Sequence, residues 1–125
     1  MNSDLKITIE QVQAKVPVTV FHIAGWLDAQ SEGELLNAAQ TAFDANTRFL
    51  LIEMSNLDTL TSAGIRALQR VYKLFSSQNE TSKVSHLKLC NAPPQIYNIL
   101  GITGFLQNIP MYESLDSALE TFGEE

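Results

Sequence analysis

The stretch NLDTLTSAGIRALQRVY, Asn56 to Tyr72, changes character at the tetrapeptide Thr61-Ser62-Ala63-Gly64. Before it the chain reads as a loop. From Ile65 onward Leu68, Val71, Tyr72 and Phe75 keep the spacing of one helix face, while Arg66, Arg70, Lys73 and Ser77 fall on the other. Two hydroxyls at the entrance of this helix have two readings. They can cap backbone N–H groups that lack a partner, or a serine in the first turn can accept a phosphate, since that end of a helix tolerates negative charge. Arg66, Arg70 and Lys73, at i, i+4 and i+7, project together. By default such a stripe is a solvated face, yet it begins beside Ser62, so whatever grips it would also sense a group on that hydroxyl.

Outward from this helix, strand and helix patterns alternate. Leu5, Ile7 and Ile9 recur with period two, and Val16 to Ile23 is rich in β-branched residues until Gly25, which is expected to stop it. These predict two strands joined around Gln13 to Lys15, with Pro17 at a strand start or edge because it has no amide donor. Ser31 and Glu34 have capping-box spacing, and Leu35, Leu36, Ala39, Ala42 and Phe43 mark one face of a helix over Ser31 to Asp44, its first turn weakened by Gly33. Arg48 to Met54, RFLLIEM, barely alternates and predicts a central strand covered on both faces. Ser76 to Ser85 reads as a polar turn and His86 to Asn91 as a strand. Pro93 and Pro94 open a helix near Gln95 to Leu100, which Gly101 and Gly104 should end. Ile109 to Tyr112 adds a short strand, and Leu115, Ala118, Leu119 and Phe122 a terminal helix. The pattern predicts an α/β fold, helices packed on a mixed sheet, over residues 1–125 as a single domain, without repeat or linker.

Composition excludes several functions. A formal charge of −6, from 14 acids against 8 bases, argues against a nucleic-acid binder. Glu113, Asp116, Glu120, Glu124 and Glu125 crowd the end of the chain and read as a solvated face. No run approaches the roughly 18 apolar residues of a membrane span, and MNSDLKITIEQ lacks the order of a signal peptide, so a cytoplasmic location without membrane insertion is expected. The sequon at Asn79-Glu80-Thr81 is then a chance match. Cys90 is the sole cysteine, in the apolar run HLKLC, and reads as a small buried thiol.

No reaction centre emerges. His22 lies within a strand pattern and His86 at a strand entrance, both better suited to structural roles than to a triad. The glycines lack the spacing and the lysine of nucleotide-binding loops. Glu53 and Asp58 flank the loop before the Ile65 helix and are the one acid pair that could share a proton or hold a metal, a weak basis for an enzyme. No catalytic residue, cofactor or metal is therefore expected. Trp26, next to Gly25, is either a partly buried anchor or an exposed contact residue, and the anchor is the favoured reading.

With these segments in place, the chain resembles a STAS domain, and more narrowly the free-standing bacterial anti-sigma factor antagonists. Gly25-Trp26-Leu27-Asp28 is similar to the family's Gly-x-Leu-Asp turn. LLIEMSNLDTLTSAGIRAL is similar to its strand, loop, Asp-Ser-Ser/Thr-Gly and helix unit, and GITGFLQNIPMY to its Leu-x-x-x-Gly-Leu region. The resemblance implies a mixed sheet with helices mainly on one face, and a non-enzymatic role in partner switching. The unphosphorylated antagonist binds an anti-sigma factor that is also a serine kinase and so frees a sigma factor. Phosphorylation of one serine breaks the complex, and a serine phosphatase restores it. Ser62 matches the phosphoacceptor and Gly64 the motif glycine, whereas Ala63 replaces the second hydroxyl and Thr61, the less favoured acceptor, replaces the usual aspartate. Asp28, Asp58, Thr61, Ser62, Ala63, Gly64, Arg66 and Arg70 are the residues this implies for partner binding. The alternative is a structural STAS subunit of a transporter or signalling scaffold, in which the hydroxyls only cap.

Overall fold

The computed structural model describes residues 4–76, 86–107 and 109–123. In chain order these form β1 (Leu5–Gln13), β2 (Pro17–Leu27), α1 (Glu32–Asp44), β3 (Leu50–Leu60), α2 (Ser62–Ser76), β4 (Leu87–Cys90), α3 (Pro94–Ile102), a short 3-10 turn (Phe105–Gln107), β5 (Met111–Tyr112) and α4 (Leu115–Thr121). Ser77, the Ser76 to Ser85 turn beyond its first residue, the sequon within it, and Glu124 and Glu125 lie outside the described residues.

The strands follow one another across a five-stranded mixed sheet in the order β1-β2-β3-β4-β5. β1 and β2 form an antiparallel hairpin, and each later neighbour is parallel. Three successive crossovers that step the same way across a sheet with the same hand put their helices on one face. Accordingly Leu35 and Ala39 of α1, Leu68, Val71 and Phe75 of α2, and Ile96 and Leu100 of α3 share one core with Phe21, Ile23, Leu50, Ile52 and Leu89 of the sheet. α4 follows the last strand, free of a crossover, and covers the opposite face, where Ala118 and Phe122 pack on Val18, Val20, Leu51 and Cys90. The predicted architecture, with helices mainly on one face, is the one observed.

Several local expectations need correction. β2 does not stop at Gly25. That residue has φ +99°, a Cβ there would lie 2.1 Å from the Asp4 carbonyl oxygen, and the β2–β3 register shifts between Gly25 and Trp26. The glycine permits that conformation and that close approach, the residue left over at the shift is Asp58 on β3, and β2 continues to Leu27. β3 likewise runs beyond Met54 through the supposed loop, because Ala24, Gly25, Trp26 and Leu27 pair with Asn56, Leu57, Thr59 and Leu60. Ladder hydrogen bonds from a neighbouring strand are invisible in the polar composition of Ser55 to Asp58. The Ser31–Glu34 capping box does not form. The Ser31 hydroxyl is buried, donating to the Trp26 carbonyl at 2.8 Å and accepting from the Asp28 N–H at 3.0 Å. Gly101 lies inside α3, whose C-cap is Thr103, and Gly104 follows with φ +80°.

One contact fixes where α2 begins. A Cβ on Gly64 would lie 2.3 Å from the Leu27 carbonyl oxygen and 2.8 Å from Leu60 Cδ1. The helix entrance therefore rests directly on the end of β2, and backbone cannot move aside as a side-chain tip can. Gly64→Ala is expected to destabilise the protein by about 1–3 kcal/mol. Gly101→Ala, at a helical position with nothing within 4 Å of the added methyl, should stabilise by about 0.5–1 kcal/mol. Urea unfolding of the two variants beside the parent checks both signs.

Candidate functional site: the entrance of helix α2

The two hydroxyls have different tasks. Thr61 is the N-cap: its Oγ1 accepts from the Gly64 N–H at 3.3 Å, and its carbonyl takes the first helical bond, from the Ile65 N–H at 2.9 Å. Its own N–H donates to the Leu27 carbonyl at 3.2 Å, and its hydroxyl reaches the same oxygen at 3.5 Å. Ser62 is the first helical residue; it is exposed, and its hydroxyl has no hydrogen-bond partner among the described residues. The cap is thus filled without Ser62.

Ser62 opens onto a shallow depression of about 610 Å³ between the α2 entrance and the loop after β2, which Trp26, Asp28, Gln30, Thr61, Ala63 and Arg66 also line. Asp28 is tied into its own loop, where Oδ1 accepts from the N–H groups of Gln30 at 3.1 Å and Ser31 at 3.2 Å. Such an Asx turn orders the approach to α1. Trp26, favoured as a partly buried anchor over an exposed contact, has something of both, being mostly covered yet 37% exposed. Phe21, Ile23 and Leu27 face the main core, so the alternation of β2 puts Trp26 on its other side, and the indole Nε1 donates at 3.2 Å to Oδ2 of Asp58, the β3 residue skipped where the register shifts. Asp58 thereby holds the indole beside Ser62.

Of the eight residues singled out for partner binding, Asp28, Thr61, Ser62, Ala63 and Arg66 meet at this depression. Asp58 touches it through Trp26, and Arg70 is exposed one turn farther along α2. Gly64 is buried beneath it and supports the surface without forming it. Trp26 and Gln30 were not singled out. The signal for Trp26 was present in the sequence as a large aromatic directly after a glycine, but a bulge and a buried turn look alike without a partner strand.

The proposed acid pair is not a pair. Glu53 is buried and accepts from Asn91 Nδ2 at 2.8 Å and the Ser55 N–H at 3.4 Å, with His22 Nδ1 at 3.4 Å, while Asp58 faces Trp26. Burial pushes the Glu53 carboxyl up, but hydrogen bonds from Ser55, Asn91 and His22 outweigh it and leave the group below its ordinary value of 4.5. His22 also meets Glu10 at 2.8 Å and so bridges β1, β2 and β3 structurally. His86 stacks on Phe49 at 5.1 Å, and its buried Nδ1 has no hydrogen-bond partner among the described residues. Cys90 is buried, and burial first, then the Glu53 charge, pushes its thiol up to about 12, which suppresses thiolate reactivity. Among the described residues no group of three His, Cys, Asp or Glu side chains could hold a metal, and no helix is long and apolar enough to cross a membrane.

The STAS domain model matches residues 10–118 of the chain. BtrV of Bordetella bronchiseptica, which carries the name of an anti-sigma factor antagonist, is 29% identical over 120 residues, 94% of this chain and 95% of that protein. Among solved structures, an anti-sigma factor antagonist from Mycobacterium paratuberculosis superposes with a TM-score of 0.75 at 22% identity, over 92% of this chain and 91% of that one. The antagonist SpoIIAA in its unphosphorylated form superposes with a TM-score of 0.69 at 16% identity, over 92% and 94%. These two structures share the fold.

Two outcomes follow from the geometry. Thr61→Ala should cost about 1 kcal/mol through the lost cap, whereas Ser62→Ala should leave stability within about 0.5 kcal/mol of the parent, both read by urea denaturation. Because folded Glu53 holds its proton less tightly than the unfolded residue, its stabilising contribution is complete above its ordinary value of 4.5 and is lost as pH falls through the lower folded value. Glu53→Gln should flatten that part of the acid limb of a stability–pH profile, while an exposed control such as Glu34→Gln leaves it in place.

Proposed function

Since the chain belongs to the STAS domain family, we propose that it is an anti-sigma factor antagonist, switched by phosphorylation at Ser62. The observation that carries this reading is the division of labour at the α2 entrance: Thr61 fills the cap, and the adjacent Ser62 hydroxyl is exposed and uncommitted beside Trp26. A 29% identical relative that carries the antagonist name and matches nearly the whole chain supports the same assignment. In the unphosphorylated state Ser62, Trp26, Asp58, Arg66 and Arg70 form the surface that docks on an anti-sigma factor with serine kinase activity, in the cytoplasm. Gly64 holds that surface from below. The protein acts by binding and by accepting phosphate, and a serine phosphatase resets it.

Physical magnitudes favour a switch at this position. A phosphate adds about −1.5 to −2 charges beside a helix amino end whose dipole tolerates them, so the scaffold survives. Docking does not: one acidic partner group ~4 Å from the new charge costs on the order of 4 kcal/mol at an effective dielectric of 20. A loss of ~2.8 kcal/mol is already about 100-fold in affinity. Arg66 and Arg70 on the same face give an acidic partner surface something to meet, which makes such proximity an expected part of the complex.

The test combines the chain with the anti-sigma factor kinase of its own organism and ATP, followed by phosphopeptide mapping and titration calorimetry. The phosphate should map to Ser62. Ser62→Asp should weaken the complex about 100-fold or more while the unfolding midpoint stays within a few degrees of the parent, and Trp26→Ala should weaken it at least tenfold as the loss of a central aromatic contact. Phosphate on Thr61 alone, or a Ser62→Asp complex of parental affinity, overturns the switch. Retention on membranes that is indifferent to Ser62→Asp would instead favour the scaffold role.

A further inference from the structure

We propose that β1 is a docking edge for a second copy of this chain, pairing antiparallel with its own counterpart about Thr8 so that two sheets become one. β1 is the outer strand at one side of the sheet. It is nine residues long, contains no proline, and keeps an unbroken register with β2 from Leu5 to Gln13. Natural edge strands are usually short, bulged or proline-bearing because a regular edge recruits another strand; here the two charged residues of the strand are Lys6 and Glu10. Ile9 stands 52% exposed on it.

The orientation of the backbone follows from its two ends. The Asp4 carbonyl accepts from the Trp26 N–H, and the Ala14 N–H donates to the Val16 carbonyl. Even-numbered residues therefore point their N–H and C=O groups toward β2, and the odd-numbered ones, Leu5, Ile7, Ile9 and Gln11, point theirs away from the sheet.

Charge selects the register. Symmetric pairing about Ile7 sets Asp4 against Glu10, and pairing about Glu10 sets that acid against itself; like charges directly opposite are destabilising. Pairing about Ile9 leaves Lys6 opposite Val12. Pairing about Thr8 puts Lys6 opposite the second copy's Glu10, twice by symmetry, and Ile7 opposite Ile9, also twice. In this register the outward-pointing Leu5–Gln11 and Ile7–Ile9 pairs exchange about eight hydrogen bonds, and Lys6–Glu10 falls at a non-hydrogen-bonded pair, where facing side chains approach most closely. Glu10 already receives His22 on Oε1 and is half exposed, so Oε2 is free to meet a lysine. Ile9 borders an open groove of about 520 Å³ lined by Ala38, Ala42 and Ala45, and the second copy brings its own isoleucines to the mouth of that groove. Strand pairing over this length makes a modest interface, so the dimer is expected at micromolar concentration and above.

Sedimentation equilibrium of the purified chain tests this. The parent should approach twice the chain mass of 13.8 kDa. Ile9→Pro removes an outward N–H alone and should sediment as a folded monomer with unchanged far-UV circular dichroism. Lys6→Glu and Glu10→Lys should each be monomeric, and the double exchange should restore the dimer, an outcome specific to the Thr8 register. Thr8→Cys should cross-link to itself under mild oxidation. A monomeric parent at every concentration reached, or a dimer untouched by Ile9→Pro and by both single charge reversals, overturns the proposal. These readouts need no anti-sigma factor, so they stand or fall apart from the Ser62 switch.

Discussion

A single backbone oxygen, the carbonyl of Leu27, governs the functional end of this molecule. It terminates β2, receives the Thr61 N–H, lies within reach of the Thr61 hydroxyl, and leaves room for a hydrogen and nothing larger on Gly64. Helix α2 starts where it does because that oxygen and the cap together fix its first turn. The position of Ser62 is in turn a consequence: it is the first residue past the cap, so it cannot turn inward while Thr61 holds the Gly64 N–H. The switch proposed for Ser62 needs a rigid base, and here the base is main chain.

The rest of the fold serves the same end of the sheet. The crossovers place α1 and α2 side by side on one face, so the loop after β2 and the entrance of α2 converge without any long excursion of the chain. Trp26 lies on the side of β2 away from Ile23 and Leu27, and Asp58, the residue of β3 left over at the register shift, accepts a hydrogen bond from its indole. Asp28 and Ser31 bind their own loop so that the opposite wall of the depression is equally defined. Several polar side chains near the site order one another, whereas those of Gln30, Ser62, Arg66 and Arg70 have no hydrogen-bond or ionic partner among the described residues.

Much of this was legible in the sequence, for physical reasons that differ from element to element. α2 was plain because its apolar stripe is regular, and the central position of β3 because Leu50 to Ile52 are apolar without alternation. The cluster at the α2 entrance was implied by the resemblance of Gly25–Asp28 and Thr61–Gly64 to the family's motifs, and five of its eight residues line one depression. What remained hidden depended on long-range pairing. Ser55 to Asp58 look like a loop until β2 supplies their hydrogen bonds, Gly25 looks like a stop until the bulge is seen, and Ser31 has the spacing of a capping box while its hydroxyl is taken by the Trp26 carbonyl. The separate duties of Thr61 and Ser62 could not be divided from sequence either, since both hydroxyls suit a cap and the Leu27 oxygen that chooses between them is 34 residues away from Thr61.

Trp26 is the sole tryptophan of the chain, and it stands in the same depression as Ser62 with its indole nitrogen tied to an acid. The one indole of the chain therefore stands where the proposed phosphate and the proposed partner would both arrive. Ultraviolet emission from the unlabelled molecule is a local optical gauge of that spot, sensitive to any charge or partner placed there and needing no added dye.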